Sequence, residues 1–437
     1  MKKLSFMLLC FITLCSPVFS QSEKSLTTYD KIYGLSEIWK EVSYNFAFFD
    51  QIPNLNWDSC YMAFIPQVMK TTSDWEYYRV LQKFMSLLKD GHTRVFPTRQ
   101  LRNKYYGTAT KSLTTRLIAD KVIVTDVIDN RLAEAGLVKG MEIIAIDNQG
   151  VKEYADENVK PYMFASTSHD LILQTYGHFL LSGSTSEPAI IQVKGFDGEL
   201  KKFTVYRQPW IMELEMYSDK PFSYKVLPNN IGYLQIHNFV ITNEYQPIFD
   251  SIYIQILKTD GLIIDVRNNF GGATQMTHYV LKHFTNGKIG TVNWNSPMNI
   301  GAHKAWGTKQ QWYEVTGKEI DGFTDRIIYT KPLNIVADES SFSGAEDFCL
   351  GFLTMKRGKL VGRKTAGSTG SPIMSNLFGD DLVLICAKKD FFPDGTEFIG
   401  YGINPDIEVK LSIEDVINGI DKSLNVAIDS LSSIKKD

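Results

Sequence analysis

One stretch constrains the fold more than any other: Leu333-Asn334-Ile335-Val336-Ala337 breaks off into Asp338-Glu339-Ser340-Ser341-Phe342-Ser343-Gly344-Ala345. The apolar run reads as a strand, and Phe348, Leu350, Phe352 and Leu353 mark the helix that follows it. A serine is thereby placed at a strand-to-helix turn, beside N–H groups without an intrahelical partner and at the positive end of the helix dipole. An alkoxide or a tetrahedral oxyanion is stabilised in such a place, which makes Ser343 a candidate nucleophile. Ser340, Ser341 and Ser343 also suit the plainer role of helix N-caps.

The surrounding pattern fits this unit into a layered domain. From about 228 to 412 strands and helices alternate: a strand at 232–236, a helix near 243–257, a strand at 261–267, a helix near 273–284, then the serine unit. Such alternation predicts an α/β architecture. The strand at 261–267 runs out into Asn268-Asn269-Phe270-Gly271-Gly272. The two glycines allow close backbone approach, so their N–H groups are candidate oxyanion donors, although a simple turn uses such a pair as well.

At 437 residues the chain is long enough for about three domains. Residues 21–105 read mainly as helices: Trp39, Val42 and Phe46 share a face, and Ser73 with Glu76 has capping-box spacing. This region ends at Lys89-Asp90-Gly91-His92-Thr93-Arg94, with Gly91 as the expected helix stop. His92 sits at that helix end, where it can reach a neighbouring cleft or simply complement the dipole. Residues 106–208 change to short strands, with Gly195-Phe196-Asp197-Gly198 as a hairpin connection. The α/β region takes 209–437, and its tail from about 413 reads as one closing helix.

Composition narrows the partners and the compartment. A net charge of −3 gives no footprint for nucleic acid. Lys2 and Lys3, the apolar run 4–14, and Val18 and Ser20 at −3 and −1 predict a signal peptide over 1–20, with Gln21 as the mature start. The expectation is an exported protein, periplasmic or extracellular, with no membrane span, because no later segment approaches about 20 continuous apolar residues. Cys60, Cys349 and Cys386 would remain, too few and too scattered for a disulfide framework or a zinc knuckle. The expected chemistry calls for no metal or cofactor, and the sequence carries no reading of oligomeric state.

Four ordered motifs together resemble the C-terminal processing serine peptidases and the tricorn protease core: Asp265-Val266-Arg267-Asn268-Asn269-Phe270-Gly271-Gly272, Ser341-Phe342-Ser343-Gly344-Ala345-Glu346, Leu360-Val361-Gly362-Arg363-Lys364-Thr365-Ala366-Gly367 and Gly402-Ile403-Asn404-Pro405-Asp406. Ala135-Gly136-Leu137-Val138-Lys139-Gly140 before an Ile-rich strand resembles a PDZ domain, whose groove takes an extended peptide. The resemblance implies an α/β core of the ClpP/crotonase-like type, preceded by a helical domain and a β-rich PDZ-like domain. It implies an exported serine peptidase acting on proteins or peptides.

Carried over by residue, the resemblance makes Ser343 the nucleophile and places oxyanion donors at Gly344 and at Gly272 or Gly271. The processing branch uses a lysine base directly after the glycine that matches Gly367, where this chain has Ser368. The tricorn branch uses a histidine, and Leu87-Leu88-Lys89-Asp90-Gly91-His92 is similar to its segment, which favours His92 as base. Imidazole, with an ordinary pKa near 6.5, accepts a serine proton near neutrality. In that branch a serine precedes the histidine, where this chain has Gly91, and a glutamate completes the tetrad. Glu397 is the candidate for it, with Asp90 as the other candidate partner of His92. The same scaffold has non-catalytic relatives, so the alternative is an inactive peptide- or lipid-binding protein with Ser343 as a cap.

Overall fold

The computed structural model describes residues 25–209 and 220–434, and the expected signal segment lies outside the described residues. Six strands form the central sheet, in the order Phe222–Leu227, Ile231–Ile236, Gly261–Asp265, Leu333–Ala337, Leu360–Gly362 and Ile407–Glu408. The first pair is antiparallel and every later pair is parallel.

Parallel strands need cover on both faces. Their side chains divide accordingly: Leu262, Ile264, Leu333 and Ile335 enter the large core, while Ile263, Val336 and Val361 enter a second one. Helices Tyr245–Ile256, Thr274–Leu281 and Gly344–Met355 cover the first face. Ala427 and Leu431 of the helix Lys422–Ile434 cover the second. At about 1.5–3 kcal/mol for each fully buried large aliphatic side chain, this two-sided burial fixes the strand that delivers Ser343. The tail differs from the expected single helix: Ile413–Asn418 ends at Gly419, whose φ of 65° closes it, and Lys422–Ile434 starts anew.

Between the helical segment and the core lies an antiparallel sheet ordered Leu113–Ile118, Lys121–Val127, Glu142–Ile146, Ala189–Lys194 and Leu200–Val205. Ala189, Ile191 and Val193 point inward in strict alternation and join a core of this region's own. The expected hairpin is formed, with Gly195 N–H donating to Glu199 O at 2.8 Å.

The N-terminal helices Thr28–Asn45, Trp57–Lys70 and Asp74–Ser86 do not stand apart. Tyr77, Leu81, Phe84 and Leu88 share one apolar cluster with Val383, Ile385 and Phe398 of the core. The backbone joins as well, because Arg94–Phe96 pairs antiparallel with Leu382–Leu384. Ala47 N–H donates to Cys386 O and Cys386 N–H donates to Thr93 Oγ1, both at 3.0 Å. These bonds carry the loop before Arg94, and with it His92, onto the core. Among the described residues no helix is long and apolar enough to cross a membrane.

Candidate active site

Ser343 stands between the end of the buried strand Leu333–Ala337 and the first turn of Gly344–Met355. Its backbone, at φ 56° and ψ −123°, lies in a region that side-chain-bearing residues rarely enter. The neighbourhood holds it there: Phe342 N–H donates to Asn269 O and Ser343 N–H to Ser368 O, both at 3.0 Å. Ser341 Oγ donates to Val266 O at 2.9 Å, so Ser341 braces the turn rather than capping the helix.

The helical segment supplies the second group. His92 Nε2 lies 3.0 Å from Ser343 Oγ, and Nδ1 lies 2.9 Å from Ser368 Oγ. With Nε2 accepting the Ser343 proton, Nδ1–H is the donor to Ser368. The imidazole also stacks on Phe342, with ring centroids 4.5 Å apart. Burial pushes the His92 pKa down to about 3, and the charges of Arg94 and Lys388 push the same way. At neutral pH the ring is therefore an uncharged base already bonded to a serine hydroxyl.

Gly91 does not end a helix. Asp74–Ser86 stops earlier, and the left-handed turn falls at Lys89, with φ 50°. The reason for a glycine at 91 is space: a Cβ there would meet Ser368 Oγ at 2.7 Å and Phe342 Cε2 at 2.9 Å. Asp90 does not reach the imidazole. It accepts from Thr93 Oγ1 at 2.6 Å and Ser166 Oγ at 3.1 Å, while Ser166 Oγ accepts from Gly91 N–H at 3.0 Å, so it ties down the loop.

Glu397 is the clearest correction. It is exposed and makes no hydrogen bond to His92, because its neighbour Phe398 is buried and turns the glutamate outward. The position beside Nδ1 belongs to Ser368. A different carboxyl, that of Glu346, holds Ser368 in place: Ser368 N–H donates to Oε2 at 2.8 Å, and Gly367 N–H and Thr365 Oγ1 donate to Oε1 at 2.7 and 2.5 Å. Burial raises the Glu346 pKa to about 8 against the pull of these three donors. Sequence reasoning missed both roles; the available signals were a hydroxyl where one branch has its lysine, and a glutamate one turn after the serine.

The glycines separate by what their N–H groups already do. Gly271 N–H donates to Asn269 Oδ1 at 2.8 Å and is taken, which removes it as an oxyanion donor. Its φ of 92° and its closeness to the nucleophile turn, where a Cβ would meet Gly344 N at 2.5 Å, make it a packing glycine. Gly344 and Gly272 touch, since a Cβ on Gly344 would lie 2.9 Å from Gly272 N. Neither N–H has a protein acceptor among the described residues. A nucleophile, a neutral base, an orienting hydroxyl and two unengaged donors thus meet at one point, an arrangement suited to acyl transfer.

Residues 230–409 match the model described as peptidase family S41. A putative tricorn-like protease C-terminal subunit of Sulfurisphaera tokodaii is 26% identical over 233 residues, covering 52% of this chain and 23% of that protein. The tricorn protease of Thermoplasma acidophilum is 25% identical over 261 residues, covering 59% of this chain and 21% of that protein. The chain therefore spans less than a quarter of the length of these curated relatives. In three dimensions, the crystal structure of mature CPAF superposes with a TM-score of 0.71 at 13% identity, over 94% of this chain and 99% of that one, which is a likeness of fold.

Proposed function

We propose that this chain, whose residues 230–409 match the model of peptidase family S41, is a serine peptidase cleaving peptide bonds through an acyl-enzyme on Ser343. Ser343 Oγ attacks the carbonyl carbon as His92 Nε2 takes its proton. The oxyanion is received by the N–H groups of Gly344 and Gly272. The imidazolium then gives its proton to the departing amine, and water, deprotonated by the same ring, releases the acyl group and restores the serine. Ser368, accepting from Nδ1–H, keeps the ring in the tautomer that this sequence of transfers needs. Loss of one such oxyanion donor typically costs about 10²–10³-fold in turnover.

The observation that carries the reading is the 3.0 Å contact between His92 Nε2 and Ser343 Oγ, made across 251 residues of chain. A cap serine has no use for an imidazole, and Ser343 makes no capping hydrogen bond. The fluorophosphonate probe tests it: wild-type protein labels at Ser343, Ser343→Ala does not, and His92→Ala labels far more slowly. Peptide turnover that survives in Ser343→Ala refutes the reading.

The remaining expectations belong to the same proposal. The parallel sheet covered on both faces supports a ClpP/crotonase-like core. The antiparallel sheet, with the helix Ser168–Leu173 packed beside the strand Leu113–Ile118, supports a PDZ-like unit that takes an extended segment of substrate. The charged start, apolar run and cleavage site of residues 1–20 support export.

A further inference from the structure

One pocket is lined by Phe96, Phe164, Phe179 and Phe270 together with Arg94 and His178. Its cavity measures about 80 Å³, enough for a side chain of glutamate size. Two of its walls belong to the loops of the reaction centre. Phe270 directly precedes Gly271 and Gly272. Arg94 follows His92 by two residues, and its guanidinium carbon lies 5.5 Å from the centroid of Phe342, the ring on which His92 stacks.

Arg94 keeps a buried donor that no protein group uses. Its Nη2 donates to Gly91 O, but Nε is buried without a partner. Two acids lie near it: Asp90 accepts from Thr93 and Ser166, while Asp170 Oδ1 accepts from Gln174 Nε2 at 3.1 Å and Asp170 Oδ2 is itself buried without a partner. Their fields reach Arg94, yet neither closes an ion pair with it among the described residues. Burial lowers the Arg94 pKa from its ordinary value, although a guanidinium keeps its charge in proteins. On the same lining, His178 Nε2 is a second buried polar atom without a partner. A buried guanidinium in aromatic surroundings is costly alone and favourable once a carboxylate accepts its N–H groups.

We propose that this pocket is a carboxylate-reading subsite of the peptidase, with Arg94 as its specificity-determining residue. The substrate residue it takes carries a carboxylate on an apolar stem: the stem lies among the four phenylalanines and the carboxylate accepts from Arg94 Nε–H. The carboxylate comes either from the free C-terminus of the substrate or from a glutamate side chain next to the scissile bond. Lysine and arginine side chains are repelled from it. The assignment rests on the serine-peptidase reading above.

The test uses the full mature chain and two pairs of quenched fluorescent peptides, one a free C-terminal acid against its amide, the other an internal glutamate against glutamine. Fluorophosphonate labelling of Ser343 is measured first. With labelling present, the acid of one pair is cleaved with kcat/KM at least about tenfold above its neutral partner, as expected for a hydrogen bond to a charged group; which pair responds identifies the source of the carboxylate. Arg94→Met brings that ratio near one, and Arg94→Lys recovers part of it. A labelled, cleaving enzyme that treats both pairs alike, or an Arg94→Met variant that keeps the ratio, overturns the pocket assignment. The wild-type comparison decides by itself if the variants do not fold. Absence of labelling overturns the serine-peptidase reading, and this assignment with it.

Discussion

Gly91 and Ser368 compete for one volume, because a Cβ on Gly91 would lie 2.7 Å from Ser368 Oγ. The hydroxyl that the tricorn resemblance expects at the residue before the histidine is thus delivered from the opposite wall of the site. Gly91→Ser alone overpacks this point and is expected to cost about 1–3 kcal/mol in stability together with most of the turnover. Gly91→Ser combined with Ser368→Gly, which vacates the contested space, recovers at least tenfold of the lost kcat. Thermal melts and kcat for the two single variants and the pair measure the coupling, and strictly additive losses would refute the shared volume.

Ser368→Ala removes the acceptor of His92 Nδ1–H and leaves the rest of the site in place. A neutral hydrogen bond is worth about 0.5–1.5 kcal/mol net, so kcat falls roughly 2- to 13-fold while KM changes little. A larger effect on KM than on kcat would mean that Ser368 binds substrate instead of orienting the base.

Buried and near two positive charges, His92 stays neutral far below the ordinary imidazole range. The acid limb of kcat/KM is expected below pH 6, not at 6.5. The stability effect has a definite sign: the folded pKa of about 3 lies below the unfolded value near 6.5, so the unfolded chain binds the extra proton. The contribution is complete above pH 6.5 and is lost as the pH falls towards 3. Urea melts at pH 7 and pH 5 should therefore show less acid destabilisation in His92→Ala than in wild type.

The backbone of Ser343 is strained, at φ 56° and ψ −123°. Strain of this kind costs on the order of 1–3 kcal/mol, and glycine relieves it while losing about 0.5–1 kcal/mol through a freer unfolded chain. Ser343→Gly is expected to abolish turnover and to melt at or above the wild-type temperature. A fall of several degrees would show that the conformation is comfortable for serine.

The two glutamates should part company. Glu397→Gln, at an exposed position without contact to His92, leaves kcat within about twofold of wild type. Glu346→Ala strands the N–H groups of Gly367 and Ser368 and the hydroxyl of Thr365, at roughly 1–3 kcal/mol for each buried group left unpaired, and kcat falls with it.

The elements that local chemistry dictates were legible in the chain. Strand 333–337 and the helix after Ser343 follow from an apolar run broken by small polar residues, and the hairpin at 195–198 follows from its glycines. The pairing of His92 with Ser343 was reachable only through family likeness, since nothing local indicates that Arg94–Phe96 will join the strand Leu382–Cys386. Ser368 and Glu346 were not legible as a pair. Their relation runs through a backbone N–H, and such bonds carry no residue-type signal. Glu397 was misplaced because motif spacing is silent about which way a side chain faces, and the burial of Phe398 decides that.

The pairing of Arg94–Phe96 with Leu382–Leu384 also has a consequence in time. During synthesis the base leaves the ribosome long before the nucleophile, and the strand that seats the base comes later still. A chain that stops before Leu382 lacks the strand on which the base is seated, so under the reading proposed above it has no means of cutting itself or its neighbours. Under that reading hydrolytic competence waits for the strand near residue 384 to close over the segment near residue 95, which makes activity a report that these two distant parts have met.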